Sequence, residues 1–201
     1  MDLFQGCRGR SLANGLRWLN EPPEWQFGVE GLRIVPAPRT DFFRPADGAA
    51  HDSAGLLHTT VNGDFTVRTH VRAELAGFGD AGALTVRAAP DQWAKICVER
   101  SPVGEVGIVS VVTDPWSDDA NAELLAAPEA FLRITRKGSV FGLHYSLDGD
   151  RWRFVRAFTC RMPDGVLVGV HAQAPFQGGC RATFGLLEIT PQPVPDFRSG
   201  E

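Results

Sequence analysis

The chain has 201 residues, 43% of them hydrophobic, and a formal net charge of −4, which suits one all-β domain with an ample core. Its Lys and Arg are dispersed without a basic run, which excludes a nucleic-acid partner, and no apolar run approaches the about 18 residues that a membrane span needs. The opening MDLFQGCRGRSLANG lacks the apolar region of a signal peptide, so a cytoplasmic protein with reduced thiols is expected.

In chain order, residues 1–15 read as a flexible N-terminal tail. LRWLN and EPPEWQFG follow, and Pro22-Pro23 makes this an edge segment or a bend. Leu32–Val35 is a short strand, Phe42 and Phe43 anchor the next segment to the core, and 45–53 is a polar loop. Asn62-Gly63 lies between two alternating arms and predicts a two-residue β-hairpin.

The stretch from Ala83 to Thr113 reads as three adjacent strands joined by two tight turns. In its middle strand Ala94, Ile96 and Val98 share one face, and Trp93, Lys95, Cys97 and Glu99 the other. An aromatic, a cation and an anion on one face of a central strand admit two readings. One is a solvated face carrying a Lys95–Glu99 ion pair; the other is one wall of a ligand groove. Lys95 and Glu99 lie about 13 Å apart along the strand, too far for a direct pair, so Arg133 and Arg87 are the expected partners of Glu99.

Beyond Thr113, Ala120–Ala127 is expected as a short helix ended by Pro128. FLRITR, VFGLHYSL and RWRFVRAF form a three-strand meander, and VLVGVHAQA and CRATFGLLEIT are the last strands. The tail 191–201 is expected to be extended and disordered. The domain is therefore placed at 16–190. About a dozen short strands without a crossover helix exclude parallel-sheet folds.

Five patches carry a family resemblance: LNEPPEW, TDFFR, GDAGALTVRAAPDQWAKICVE, SVVTDPWSDD and SLDGDRW. Together they resemble the regulation-of-enolase-protein-1-like family. The resemblance implies an all-β, concanavalin A-like jelly-roll sandwich of two antiparallel sheets and no established biochemical activity. The chain departs from the family pattern at Phe78 and at Asp118-Asp119.

The chemistry-bearing motifs are sparse. SLDGDRW is explained by a turn at Asp148-Gly149 capped by Ser146. Asp114, Asp118, Asp119 and Asn121 lack the spacing of a calcium loop. The four cysteines form no CxxC pair and match no zinc pattern, and no cofactor is implied. The clustered E-x-D-x-E carboxylates of glycosidases on this kind of sandwich are absent. His58, His70 and His144 are expected on exposed strand faces. His171 and Gln173 share a face with Gly169, where a ligand or another side chain can approach closely. With Arg87, Trp93, Lys95, Glu99 and Arg133 they make the candidate set for one concave sheet: an aromatic plate for sugar C–H faces and planar polar groups for hydroxyls.

Three functions fit. The first is a non-catalytic module binding a carbohydrate or similar polar small molecule. The second is a protein-interaction module in the regulation of metabolism, with a homodimer as one form. The third is an unrecognised sugar-active enzyme.

Overall fold

The structure, a computed structural model, describes residues 1–201 as sixteen strands and no helix. The strands are β1 (Arg17–Leu19), β2 (Glu24–Gly28), β3 (Gly31–Val35), the short β4 (Phe42–Phe43) and β5 (His51–Asp52), then β6 (Gly55–Val61), β7 (Phe65–Glu74) and β8 (Ala81–Ala89). They continue as β9 (Gln92–Arg100), β10 (Val106–Thr113), β11 (Ser117–Leu124), β12 (Glu129–Lys137), β13 (Val140–Ser146), β14 (Arg153–Thr159), β15 (Val166–Gln173) and β16 (Arg181–Thr190).

Two seven-stranded antiparallel sheets form a β-sandwich. The first sheet has the order β1-β6-β15-β8-β9-β10-β11, and the second β14-β13-β12-β7-β16-β3-β2. Alternation explains the core between them. Leu84, Val86, Ala94, Ile96, Val98, Val168 and Val170 from the first sheet meet Val67, Val71, Leu132, Ile134 and Phe184 from the second, all fully buried. Each buried side chain of Val or Leu size contributes about 1.5–3 kcal/mol. β4 and β5 pair only with each other and lie across the outer face of the first sheet, where Phe42 packs on Trp93.

The turns at Pro90-Asp91 and 101–105 join β8, β9 and β10 as sequence alternation requires. The Asn62-Gly63 turn is different. β6 pairs with β1 and β15, whereas β7 pairs with β12 and β16. The turn is an arch between the two sheets, not a hairpin. Gly63 has a φ of 69° and Asn62 does not share the left-handed region, so the type I′ geometry of a two-residue hairpin is absent. The arch is held instead by Gly63 N–H donating to Asp164 Oδ1 at 2.9 Å.

Ala120–Ala127 is not helical. Residues 117–124 are the exposed edge strand β11, paired with β10 through Val111–Asp119 and Ser110–Ala120. Pairing overrides the helix propensity of the alanines. Both expected tails are also packed. Leu3 and Phe4 are buried, and Leu3 N–H donates to Leu187 O at 2.8 Å, beside the bulge where β16 shifts register. At the other end Val194 is buried and the Phe197 carbonyl lies 2.6 Å from His144 Nε2. His58 and His144 are buried as well, rather than exposed.

At SLDGDRW, Ser146 Oγ accepts from the Gly149 amide at 2.9 Å, and Asp148 Oδ1 accepts from the amides of Asp150 and Arg151 at 2.9 and 2.8 Å. These bonds hold the Asp148 carboxyl down at about 2. No helix of the chain is long and apolar enough to cross a membrane.

Candidate functional site

The outer face of the first sheet carries the candidate site. Register aligns its rows. Thr85, Lys95, Val111 and Asp119 lie in one row, and Ala83, Cys97 and Val109 in the next. Ala81, Glu99 and Gly107 follow. The small residues Ala81, Ala83 and Gly107 leave room above the floor. A cavity of about 270 Å³ stands there, with Lys95, Glu99 and Gln173 in its lining.

Trp93 is not its aromatic plate. It is 1% exposed, its Nε1–H donates to Pro90 O at 3.2 Å, and its ring packs on Phe42 with centroids 6.1 Å apart. Phe42, from β4, closes this end of the face. It also meets the His171 ring at 5.0 Å and lies beneath the Arg87 guanidinium. Arg87 is in turn paired with Asp52 of β5 at 2.8 Å. Arg87 is therefore not a partner of Glu99. Nor is Arg133, which lies on the second sheet, opposite Arg68 and His144. Alternation fixes the face of a side chain but not the sheet that its strand joins, so it cannot separate Arg133 from the others.

Lys95, His171 and Gln173 do come together, as a buried network. Lys95 Nζ donates to Phe42 O at 3.0 Å and to Gln173 Oε1 at 2.8 Å, and lies 3.5 Å from Asp41 Oδ1. Burial works against the ammonium charge, but Asp41, with Cys97 and Glu99, outweighs it and raises the pKa. Gln173 Nε2–H donates to Gly79 O at 3.0 Å, which leaves Gln173 Oε1 as an acceptor. His171 Nε2, 3.2 Å from that oxygen, must carry the proton, and Nδ1 accepts from Thr85 Oγ1 at 2.9 Å. Burial, with the Lys95 charge beside it, pulls His171 down to about 3, so the ring is neutral. The three donors of Lys95 are thus directed at protein oxygens, and the network positions the cavity wall rather than reaching for a ligand.

Glu99 is a carboxyl of the cavity with few protein partners. Only the Cys97 thiol donates to it, at 3.4 Å. Burial pushes its pKa up to about 7, against the pull of Lys95 and with the help of Asp41 and Asp119. Its folded pKa exceeds the unfolded value of about 4.3. Between those values the folded state binds more protons, so stability falls as pH rises, and the penalty is complete above pH 7. Glu99→Gln, which stays neutral, is expected to stabilise the protein at pH 8 by up to about 3 kcal/mol and to change little near pH 4.5. Urea denaturation at the two pH values checks this; an equal difference at both would remove the titration from Glu99.

Of the cavity lining the sequence reading held only Lys95, Glu99 and Gln173, and four of the residues it missed shape the chemistry. Asp41 and Asp119 reach it from β4's approach and from β11. Asp41 Oδ1 is buried, with the Lys95 ammonium 3.5 Å away as its charge partner. Phe78 and Phe176 form its rim, stacked with ring centroids 5.3 Å apart and 46% and 60% exposed. They stand in loops 98 positions apart, so no local pattern joins them. Two large aromatics in Gly- and Pro-containing loops were the only available signal.

The chain matches the family model DUF1349, described as a protein of unknown function, over residues 18–192. It is 29% identical to Regulation of enolase protein 1 of Saccharomyces cerevisiae over 175 residues, covering 86% of this chain and 88% of that protein. It superposes on the crystal structure of a functionally unknown protein from Saccharomyces cerevisiae with a TM-score of 0.83 at 27% identity, covering 90% and 98% of the two chains. It also resembles the carbohydrate binding module CBM66 from Bacillus subtilis, with a TM-score of 0.53 at 15% identity and coverage of 88% and 95%. A GH43 protein from Bacillus licheniformis matches with a TM-score of 0.69 at 13% identity, this chain covering 39% of its length. The last two likenesses concern the fold alone. The match of residues 18–192 to that model makes this chain a member of the DUF1349 family.

Proposed function

We propose that the chain is a non-catalytic binding module whose cavity takes a polyhydroxylated small molecule of carbohydrate type. The observation that carries this reading is the charge balance of the polar groups in the lining. Asp41, Glu99 and Asp119 bring carboxyl oxygens to the cavity, while its one ammonium is engaged by Phe42, Gln173 and Asp41. Such a lining calls for a ligand rich in hydrogen-bond donors and free of negative charge. The exposed Phe78–Phe176 rim suits the C–H face of a sugar ring. Similarity to a protein named as a regulator of enolase supports a metabolic role exerted through occupancy of the cavity.

A second reading, a sugar-active enzyme, is favoured by one fact: Glu99 and Asp119 line the same cavity, as acid and base or nucleophile must. A glycan array followed by calorimetric titration, together with a panel of chromogenic aryl glycosides, separates the two. Binding of neutral glycans without release of the chromophore is expected. Phe176→Ala should weaken binding by about tenfold with an unchanged melting temperature, since the ring is mostly exposed. Turnover abolished by Glu99→Gln would establish the enzyme. Binding to no glycan, or equal affinity in Phe176→Ala, would sink the module.

A further inference from the structure

The fold buries three arginines, Arg87, Arg133 and Arg136, and treats them differently. Arg87 has the Asp52 carboxylate. Arg136 has no carboxylate, but its Nε, Nη1 and Nη2 donate to the carbonyls of Gly138, Asp164 and Met162 at 2.9, 2.9 and 3.1 Å. Arg133 has neither solution. It is 6% exposed, and its one hydrogen bond runs from Nη2 to the Gly200 carbonyl at 2.7 Å. Its Nε–H is buried without an acceptor.

Its surroundings supply no unpaired anion. The residues directly opposite in the sheet are Arg68 and His144. Arg68 is held by Glu188 at 2.5 Å, so that carboxylate is already engaged. Burial pulls His144 down to about 4, which leaves it neutral. The Trp152 ring lies 4.2 Å from the guanidinium carbon and offsets part of the lost hydration. Burial and the Arg68 charge lower the Arg133 pKa to about 10, the mark of a cation without a counterion. A buried charge of this kind is less stable than an apolar residue of the same volume.

Arg133 also opens onto a cavity. Thr66, Arg68, Arg133, Trp152, Glu188 and Thr190 line a space of about 210 Å³ on the outer face of the second sheet. Arg68 and Glu188 cancel, so the cavity keeps one net positive charge. It stands on the opposite sheet from the site described above.

We propose that this cavity is an anion site, in which Arg133 binds a small oxyanion, phosphoryl or carboxylate, in place of the Gly200 carbonyl. The planar guanidinium offers paired N–H donors that match two oxygens of one such group. Thr66, Thr190 and the Trp152 ring bound the space around it. The segment 196–201, whose Gly200 carbonyl now caps Arg133, is the element that an arriving anion displaces.

The test uses the full chain with inorganic phosphate and, separately, acetate, against chloride at the same ionic strength. Calorimetric titration should give one saturable site for phosphate or acetate and none for chloride; which of the two binds assigns the oxyanion. The Arg133 Nε–H resonance should shift along the same titration. Arg133→Met should weaken binding by at least about tenfold while melting no lower than the parent, because an unpaired buried charge is removed. The double substitution Arg68→Gln with Glu188→Gln, which removes the neighbouring ion pair as a unit and leaves Arg133 in place, should retain the site. No saturable binding of either anion, an unmoved Nε–H resonance, or undiminished affinity in Arg133→Met would each overturn the proposal. The wild-type titration decides even if Arg133→Met does not fold.

Discussion

Gly169→Ala is expected to cost more than about 4 kcal/mol and to leave little folded protein. Gly169 sits in the middle of β15, between His58 of β6 and Thr85 of β8. A β-carbon there would stand 1.9 Å from the Leu57 carbonyl oxygen and 2.7 Å from the His58 Cα. Both atoms are backbone of β6, a strand laddered to β1 on its other side. Neither atom yields without breaking that ladder, so the substitution must break pairing on one side of β15. The close approach allowed by Gly169 is therefore made by the neighbouring strand itself, not by a ligand. Gly28→Ala is the control, since a β-carbon at Gly28 meets nothing within 4 Å and should lie within about 0.5 kcal/mol of the parent. Soluble yield and thermal melts monitored by circular dichroism check both. A Gly169→Ala protein melting within a few degrees of the parent would refute the packing.

Trp93→Ala is expected to destabilise the protein by about 3–5 kcal/mol. The ring is 1% exposed and belongs to a buried cluster with Phe42, Ala54, Leu56 and Val111. Removing it leaves a cavity beneath the β4–β5 ribbon, which cannot collapse because Phe42 is also fixed against His171 and Arg87. The Pro90 carbonyl loses its donor as well. Urea denaturation gives the midpoint shift. A cost below about 1 kcal/mol would mean that the ring lies on the surface and would restore it as a ligand plate.

Sequence alternation was a sound guide within each strand. It placed Trp93, Lys95 and Glu99 on one face and Ala94, Ile96 and Val98 on the other, and the register bears this out. It also gathered Lys95, His171 and Gln173 correctly, because β15 and β9 both flank β8. It failed where a decision depends on distant chain. The arms around Gly63 alternate like a hairpin, yet they belong to opposite sheets, and the same ambiguity misplaced Arg133. Burial of Trp93 depends on Phe42, which comes from 51 residues upstream and covers a face that alternation alone leaves open. Alanines 120 and 122 favour a helix in isolation, but the free edge of β10 offers hydrogen bonds that a short helix cannot match.

The β4–β5 ribbon joins the cavity to the stability of a small part of the chain. Asp41 holds the amides of Ser53 and Ala54 through its carbonyl oxygen at 2.9 and 3.1 Å, and Asp41, Phe43 and His51 all line the cavity. The ribbon has no ladder to either large sheet and is tied to the first by only a few bonds, among them the Thr40–Ala174 bridge and those between Arg44 and Ser117, so it is expected to open below the free energy of global unfolding. Residues 40–54 then act as a gasket. When they lift, Trp93 and Lys95 meet water and the cavity loses one wall while both sheets stay intact. A molecule bound in the proposed site would therefore share one equilibrium with closure of the ribbon, and is expected to slow amide exchange at Ser53 and Ala54 before it raises the melting temperature of the whole.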